Sequence, residues 1–247
     1  MKTLLSFGDS HTAGAEIDAA WSSECKEKAY PQKIADHYGM RSENHAVCGC
    51  GNAWILKSFI ERIKYALSEK EDVVVHVGFT EPSRYHVVGA RDILHGTTAL
   101  LKPNADPRAV INTKLLKLYE FWLRSHTDIQ LHEMSVDIIW QIQSICKLYN
   151  IPYFFSCNIG VFKTDTSLID GRNFYGFHKG FEIKDEKDGW FFFNEFSFWG
   201  VATNNPLWEH YQHDDRWSGH YPEEYHKFWA DKLIKFIDEQ QILDTTS

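Results

Sequence analysis

Ser10 stands in the run Gly8-Asp9-Ser10-His11-Thr12, directly after the apolar stretch Leu4-Leu5-Ser6-Phe7. A serine thrown out at the C-terminal end of a first strand sits where open α/β sheets carry their chemistry. Gly8 permits a tight turn, and the polar residues after it favour a helix N-terminus, whose unpaired N–H groups stabilise negative charge. A serine nucleophile needs a base to take its proton and donors to hold the oxyanion formed on attack. A base is available in Asp214-Asp215-Arg216-Trp217-Ser218-Gly219-His220-Tyr221-Pro222, just before the last expected helix. His220 occupies a Gly-containing loop there, and either nearby carboxylate could orient its ring.

Other constellations fit their chemistry less well. His210, His213, His220 and His226 cluster near Asp214 and Asp215, but their spacing matches no tight ligand pattern such as His-Glu-x-x-His. Cys48-Gly49-Cys50 has no second cysteine pair at zinc-like spacing, so the two read as free thiols in a Gly-rich turn. That turn, Gly49-Cys50-Gly51-Asn52, precedes a helix but lacks the glycine and lysine patterns of nucleotide-binding loops. Asn52 reads as a cap on the helix with a second role facing the site. No metal and no cofactor are expected.

The elements that must position these residues alternate between strand and helix. A helix is expected around Tyr30–Tyr38, stopped by Gly39, and a short strand near Asn44-His45-Ala46-Val47. Ile55, Phe59, Ile60, Ile63 and Leu67 then recur at helical spacing. Asp72-Val73-Val74-Val75-His76-Val77-Gly78 reads as a parallel strand covered on both faces. Residues 81–108 read as an excursion, and 109–150 as helical, with Ile138, Ile139, Ile142, Ile145, Cys146 and Tyr149 in an apolar stripe. Ile151–Cys157 is a further strand, and Pro222 to about Gln240 a closing helix. Between them, Phe174, Tyr175, Phe177, Trp190, Phe191, Phe192, Phe193, Phe196, Phe198 and Trp199 crowd an insertion that packs on the sheet or lines a pocket. Repeated strand–helix–strand order implies a parallel sheet.

In order and spacing the chain resembles the SGNH, or GDSL-like, hydrolases from residue 8 to residue 233. Gly8-Asp9-Ser10 looks like that family's first block, and Asn44-x-x-x-x-Gly49 followed by Asn52 like its second. Val77-Gly78-Phe79-Thr80-Glu81 lies where the third block normally reads Gly-x-Asn-Asp. His220, with Pro222, His226 and Ala230 after it, looks like the last. The resemblance implies Ser10 as nucleophile, His220 as general base, and the Ser10 and Gly49 N–H groups as oxyanion donors. Thr80 replaces the family's oxyanion Asn, and Trp217 occupies the position three before the His where the family usually carries its Asp. Asp215, in preference to Asp214, is then the residue that orients His220. The run Thr80-Glu81-Pro82-Ser83-Arg84-Tyr85 is similar to a divergent branch common among phage-like sequences. There Arg84 either binds an acidic group of the substrate or forms a salt bridge with Glu81 or an Asp.

Composition sets the outer bounds. The chain has 247 residues, 43% of them hydrophobic and 15% aromatic, enough for a sizeable core in one α/β domain over 1–247 with insertions at about 81–108 and 160–205. A net charge of −8 and no Lys/Arg-rich run argue against nucleic acid as a partner. Five cysteines suit free thiols in a reducing compartment, and no apolar run reaches the ~18 residues of a membrane span, so a soluble cytoplasmic protein is expected. The fold expected is a three-layer α/β/α sandwich with a mostly parallel flavodoxin-like sheet. The expected activity is hydrolysis of a small acyl ester, of acetyl type and on a carbohydrate, through a Ser-His-Asp acyl-enzyme. An O-acyltransferase using the same site, or a degenerate member that binds a ligand or partner, are the alternatives.

Overall fold

The computed structural model describes residues 1–15, 17, 25–82, 84–88, 93–96, 121, 125–158, 167–175, 197–198 and 220–244. In chain order its regular elements are β1 (Thr3–Gly8), α1 (Ser10–Ala13), α2 (Tyr30–His37), β2 (Arg41–Asn44), α3 (Asn52–Ser68), β3 (Val73–Phe79), β4 (Tyr85–Val88), β5 (Ile93–Gly96), α4 (Asp128–Leu148), β6 (Tyr153–Cys157), a 3-10 turn (Gly171–Asn173) and α5 (Glu223–Glu239). Four strands form an all-parallel sheet in the order β2-β1-β3-β6, and β4 and β5 make a separate antiparallel pair. This is the strand order of flavodoxin-like doubly wound sheets, with the switch point beside β1, where such folds bind ligands at the C-terminal strand ends.

Side-chain alternation sorts the core into two clusters, one on each face. Leu5, Phe7, Val75, Val77 and Phe155 pack beneath α3 and α4, against Phe59, Ile63, Ile139 and Ile142. Leu4, Val74 and Phe154 face α2 and α5, where Ile34, Trp229 and Leu233 cover them. The result is the three-layer α/β/α sandwich. Phe198 and Phe174, from the aromatic-rich segment, are fully buried core residues, and Tyr175 packs edge-on against Trp229. Its other aromatic residues lie outside the described part of the chain.

Two expectations need correction. The second strand is Arg41–Asn44, in register with Thr3–Ser6, and not 44–47. It is a polar edge strand with no apolar alternation to mark it, and its pairing comes from backbone bonds. The chain still follows β1 beyond it, His45 N–H reaching Ser6 O and Val47 N–H reaching Gly8 O. Tyr149, placed in an apolar stripe by periodicity, is the exposed cap of α4. The closing helix agrees closely, spanning Glu223–Glu239 after Pro222.

Gly8 and Gly78 are register partners at the C-terminal ends of β1 and β3, and polar side chains occupy the space above them. A Cβ on Gly78 would lie 2.6 Å from Thr12 Oγ1, 2.7 Å from the Tyr30 hydroxyl and 2.8 Å from Asn158 Nδ2. Gly78→Ala should therefore destabilise the fold by about 1–3 kcal/mol, as overpacking of a tight interior does. A lowered urea midpoint at unchanged m-value is the expected result; a midpoint equal to wild type would show that the polar cluster yields freely.

Candidate active site

The site is built where β1 stops. Asp9 is the N-cap of α1, and its carboxylate accepts a hydrogen bond from the His11 N–H at 3.1 Å. Ser10 is therefore the first helical residue, with its N–H among those that have no acceptor inside the helix. The side chain of Ser10 is largely buried, at 6% exposure for the residue. Gly14, in the left-handed region at φ 69°, ends α1 after a single turn.

Asp9 is wholly buried and is the hub of a polar network. Its carboxylate accepts from Asn158 Nδ2 (2.7 Å), the Thr80 hydroxyl (2.9 Å) and Arg84 Nη1 (3.1 Å). Asn158 follows β6; its amide also donates to Thr12 Oγ1 at 2.8 Å and accepts from the Tyr30 hydroxyl at 3.2 Å. Tyr30 and Thr12 hydroxyls are 2.9 Å apart, which closes a ring of bonds over Gly78. Burial by itself would raise the Asp9 pKa, but the charge of Arg84 and the bonds from Thr80 and Asn158 together hold it below the ordinary carboxylate value. Asp9 is thus a buried carboxylate with an assigned partner on every side.

The loops after β2 and β3 are tied to this hub. Asn44 Nδ2 donates to the Thr12 carbonyl at 2.7 Å, which holds the β2–α3 loop to α1. Gly49 in that loop has φ 74°, a left-handed conformation, and Cys50 Sγ–H donates to Gly8 O at 3.1 Å. Asn52, at the start of α3, accepts from Thr80 N–H at 3.0 Å and donates to Thr80 O at 3.0 Å and Ser135 Oγ at 3.1 Å. Its amide is thereby fully engaged in pinning the β3 end and faces the interior, and the cap expected of it is corrected: Gly51 is the N-cap of α3, with no side-chain capping bond, and Asn52 is the first helical residue. Thr80 gives its hydroxyl proton to Asp9. Arg84 forms the salt bridge anticipated for it, with Asp9 and, through Nε at 3.5 Å, with Glu81.

His220 comes to the same corner from the far end of the chain. Its ring lies 5.2 Å, centroid to centroid, from that of His11, the residue after Ser10. The ring of His11 also lies 4.8 Å from that of Phe198. Burial above all lowers the His11 pKa, to about 3; the charges of His220 and Arg84 act in the same direction and that of Asp9 opposes them. His226, one turn into α5, is buried and accepts the Tyr30 N–H on Nδ1 at 3.3 Å, docking α5 on the start of α2. Asp215 and Asp214 lie outside the described residues, as do His210 and His213. Among the described residues no group of His, Cys, Asp and Glu side chains could hold a metal ion, none of the five cysteines is in a disulfide, and no helix is long and apolar enough to cross a membrane.

Ser10, Gly49, Thr80 and Arg84 therefore meet at the C-terminal edge of the sheet, with His220 beside α1. Asn158 and Tyr30 were not foreseen as members of this site. The signal for Asn158 was its position, a polar amide directly after the buried run Tyr153–Cys157 at the edge where such folds concentrate function. Tyr30 gave none, because an aromatic residue opening a helix is indistinguishable from core.

No family model matches this chain, and no curated protein matches it. Solved structures do match. One is the psychrotrophic esterase EstA from Pseudoalteromonas sp., with 11% identity and a TM-score of 0.46 over 97% of this chain and 98% of that one. Another is the acetyl xylan esterase Est2A from the rumen bacterium Butyrivibrio proteoclasticus, with 11% identity and a TM-score of 0.45 over 97% of this chain and 64% of that one. At such identities and scores neither likeness carries an argument about activity or substrate. The α/β/α class stands on the sheet order itself.

Three buried histidines make the stability of this corner pH-dependent. His11 and His76 have folded pKa values lowered by burial to about 3, and that of His226 lies well below 6.5 for the same reason first. The unfolded chain takes up these protons near pH 6.5 and the folded chain does not, so stability falls as pH drops from about 6.5 toward 3. Urea unfolding at pH 7, 6 and 5 should give a steadily decreasing free energy. A flat profile in this window, which lies above the titration of the carboxylates, would show that these rings are not buried neutral.

Proposed function

We propose that this chain is a serine ester hydrolase of the SGNH type, with Ser10 as nucleophile and His220 as general base. The observation that carries the reading is the convergence of the first turn of α1, holding Ser10, with His220, against the ring next to Ser10. His220 takes the Ser10 proton as the hydroxyl attacks the ester carbonyl, and the Ser10 and Gly49 N–H groups hold the oxyanion. His220 then protonates the departing alcohol and later activates the water that releases the acid. Asp215 orients the imidazole in this scheme. A small acyl ester, of acetyl type and on a carbohydrate, is the substrate class that fits the resemblance in the sequence. Five cysteines outside any disulfide support a reducing, cytoplasmic setting.

A second reading, a ligand-binding protein on the same fold, is favoured by one observation. The Thr80 hydroxyl, which stands for the family's oxyanion Asn, is bonded to Asp9.

Hydrolysis of p-nitrophenyl acetate and longer p-nitrophenyl esters decides between the two. Ser10→Ala and His220→Ala should each lower kcat/KM by at least ~1000-fold, as loss of a member of such a pair does. A fluorophosphonate should label wild type at Ser10. Hydrolysis that survives Ser10→Ala, or a wild type that neither hydrolyses nor labels, would leave the binding reading in its place.

A further inference from the structure

Two backbone N–H groups are a sparse receptor for a full negative charge, and the neighbouring side-chain donors are already committed. Thr80 gives its one hydroxyl proton to Asp9. The amide hydrogens of Asn52 go to Thr80 O and Ser135 Oγ, and those of Asn158 to Asp9 and Thr12. Arg84 differs from all three. Its backbone lies on the start of α3, so close that a Cβ on Gly51 would stand 2.4 Å from the Arg84 carbonyl oxygen. Its guanidinium reaches the other way, Nη1 donating to Oδ2 of Asp9, the residue before Ser10. The side chain thus spans from the Gly49–Gly51 loop to the Ser10 turn, the two segments whose N–H groups are the backbone donors. A guanidinium carries five N–H donors, and one bond to Asp9 with a 3.5 Å ion pair to Glu81 engages only part of them.

We propose that the Arg84 guanidinium is the side-chain donor of the oxyanion hole, in the role that Thr80 would otherwise hold, and that the site accordingly accepts uncharged esters. This rests on the hydrolase reading of Ser10. As the bond from Ser10 Oγ to the carbonyl carbon forms, the hydroxyl proton passes to His220 and the carbonyl π pair moves onto oxygen, where Arg84 donates a hydrogen bond. On collapse that pair re-forms the carbonyl, the bond to the alcohol oxygen breaks, and His220 gives its proton to the leaving alcohol. Arg84 remains protonated throughout. In the resting site its charge faces two carboxylates, Asp9 and Glu81, so no net positive charge is offered to an anionic substrate. Only charge that develops during the reaction, at the donors left over, meets it. At 10% exposure the side chain is sheltered enough for that interaction to act at reduced dielectric.

The test compares wild type, Arg84→Gln, Arg84→Lys and Ser10→Ala on p-nitrophenyl acetate, with folding followed by circular dichroism. Arg84→Gln should lower kcat by about 100- to 1000-fold at a KM within about threefold, the signature of a lost oxyanion donor. Affinity for a trifluoromethyl ketone, which forms a tetrahedral oxyanion on Ser10, should fall by the same factor. Arg84→Lys, which keeps a cation for Asp9 but lacks the fork, should lose at least ~10-fold. Because loss of a buried counter-ion can unfold the variants, the nitrogen resonances of the Arg84 guanidinium are also followed in wild type, and should shift when a fluorophosphonate adduct forms on Ser10. A folded Arg84→Gln with kcat within about threefold of wild type, a loss of kcat with unchanged ketone affinity, or guanidinium resonances unmoved by the adduct would each overturn the assignment. A wild type lacking both Ser10-dependent hydrolysis and labelling overturns the hydrolase reading itself, and is recognised before any Arg84 variant is compared.

Discussion

The structure around the site depends on one buried charge. Asp9 sits at the end of β1 with no access to water, and an ionised carboxylate there is tolerable only if hydrogen bonds and a counter-ion replace its hydration. The replacements come from four separate parts of the chain: the His11 N–H, Thr80 after β3, Arg84 beyond it and Asn158 after β6. Satisfying Asp9 therefore fixes the ends of β1, β3 and β6 relative to one another. Ser10 inherits its place from that arrangement, being the next residue along.

The glycines make the arrangement possible. Register pairing of Gly8 with Gly78 removes side-chain volume where the network of Thr12, Tyr30 and Asn158 must stand. Gly51 does the same for the Arg84 backbone. Below this layer the sheet is apolar on the face toward α3 and α4, but the face toward α2 and α5 carries His76, bonded to Ser156 Oγ at 3.2 Å, edge-on to Tyr30 and tilted against Phe154. A second polar thread thus runs beneath the first, through a layer otherwise closed by Phe198 and Trp229. Tyr225 anchors that closure by donating its hydroxyl to the Phe198 carbonyl.

Electrostatically the corner separates its groups by environment. Burial keeps His11 and His226 neutral, whereas Arg84 stays charged beside Asp9 and Glu81. As neutral rings the two histidines place no fixed positive charge in this corner beside Arg84. The cost is that acid, by charging these rings, acts on the packing of α1, α2 and α5 together.

Much of this was legible in the sequence. The apolar run before Gly8-Asp9-Ser10, the valine-rich β3, the 3.6-residue periodicity of α3 and the proline before α5 determine the parallel sheet and place Ser10 at the turn from β1 into a helix and His220 just before the closing helix. These are local signals, set by side-chain alternation and by which residues can start or stop a helix. Arg41–Asn44 could not be read as a strand, since an edge strand pairs through its backbone and its side chains need follow no pattern. Nor could Asn158 be joined to Asp9, or Tyr30 to Thr12, because a hydrogen-bond partner is chosen by proximity, here across 149 and 18 residues of chain. Sequence by itself determined which residues can supply a nucleophile and a base. Only the tertiary structure decided that the Thr80 hydroxyl and the Arg84 guanidinium turn to Asp9 and that the Asn52 amide is taken by the Thr80 backbone and Ser135, because a buried polar group must find its partners among whatever the fold brings beside it.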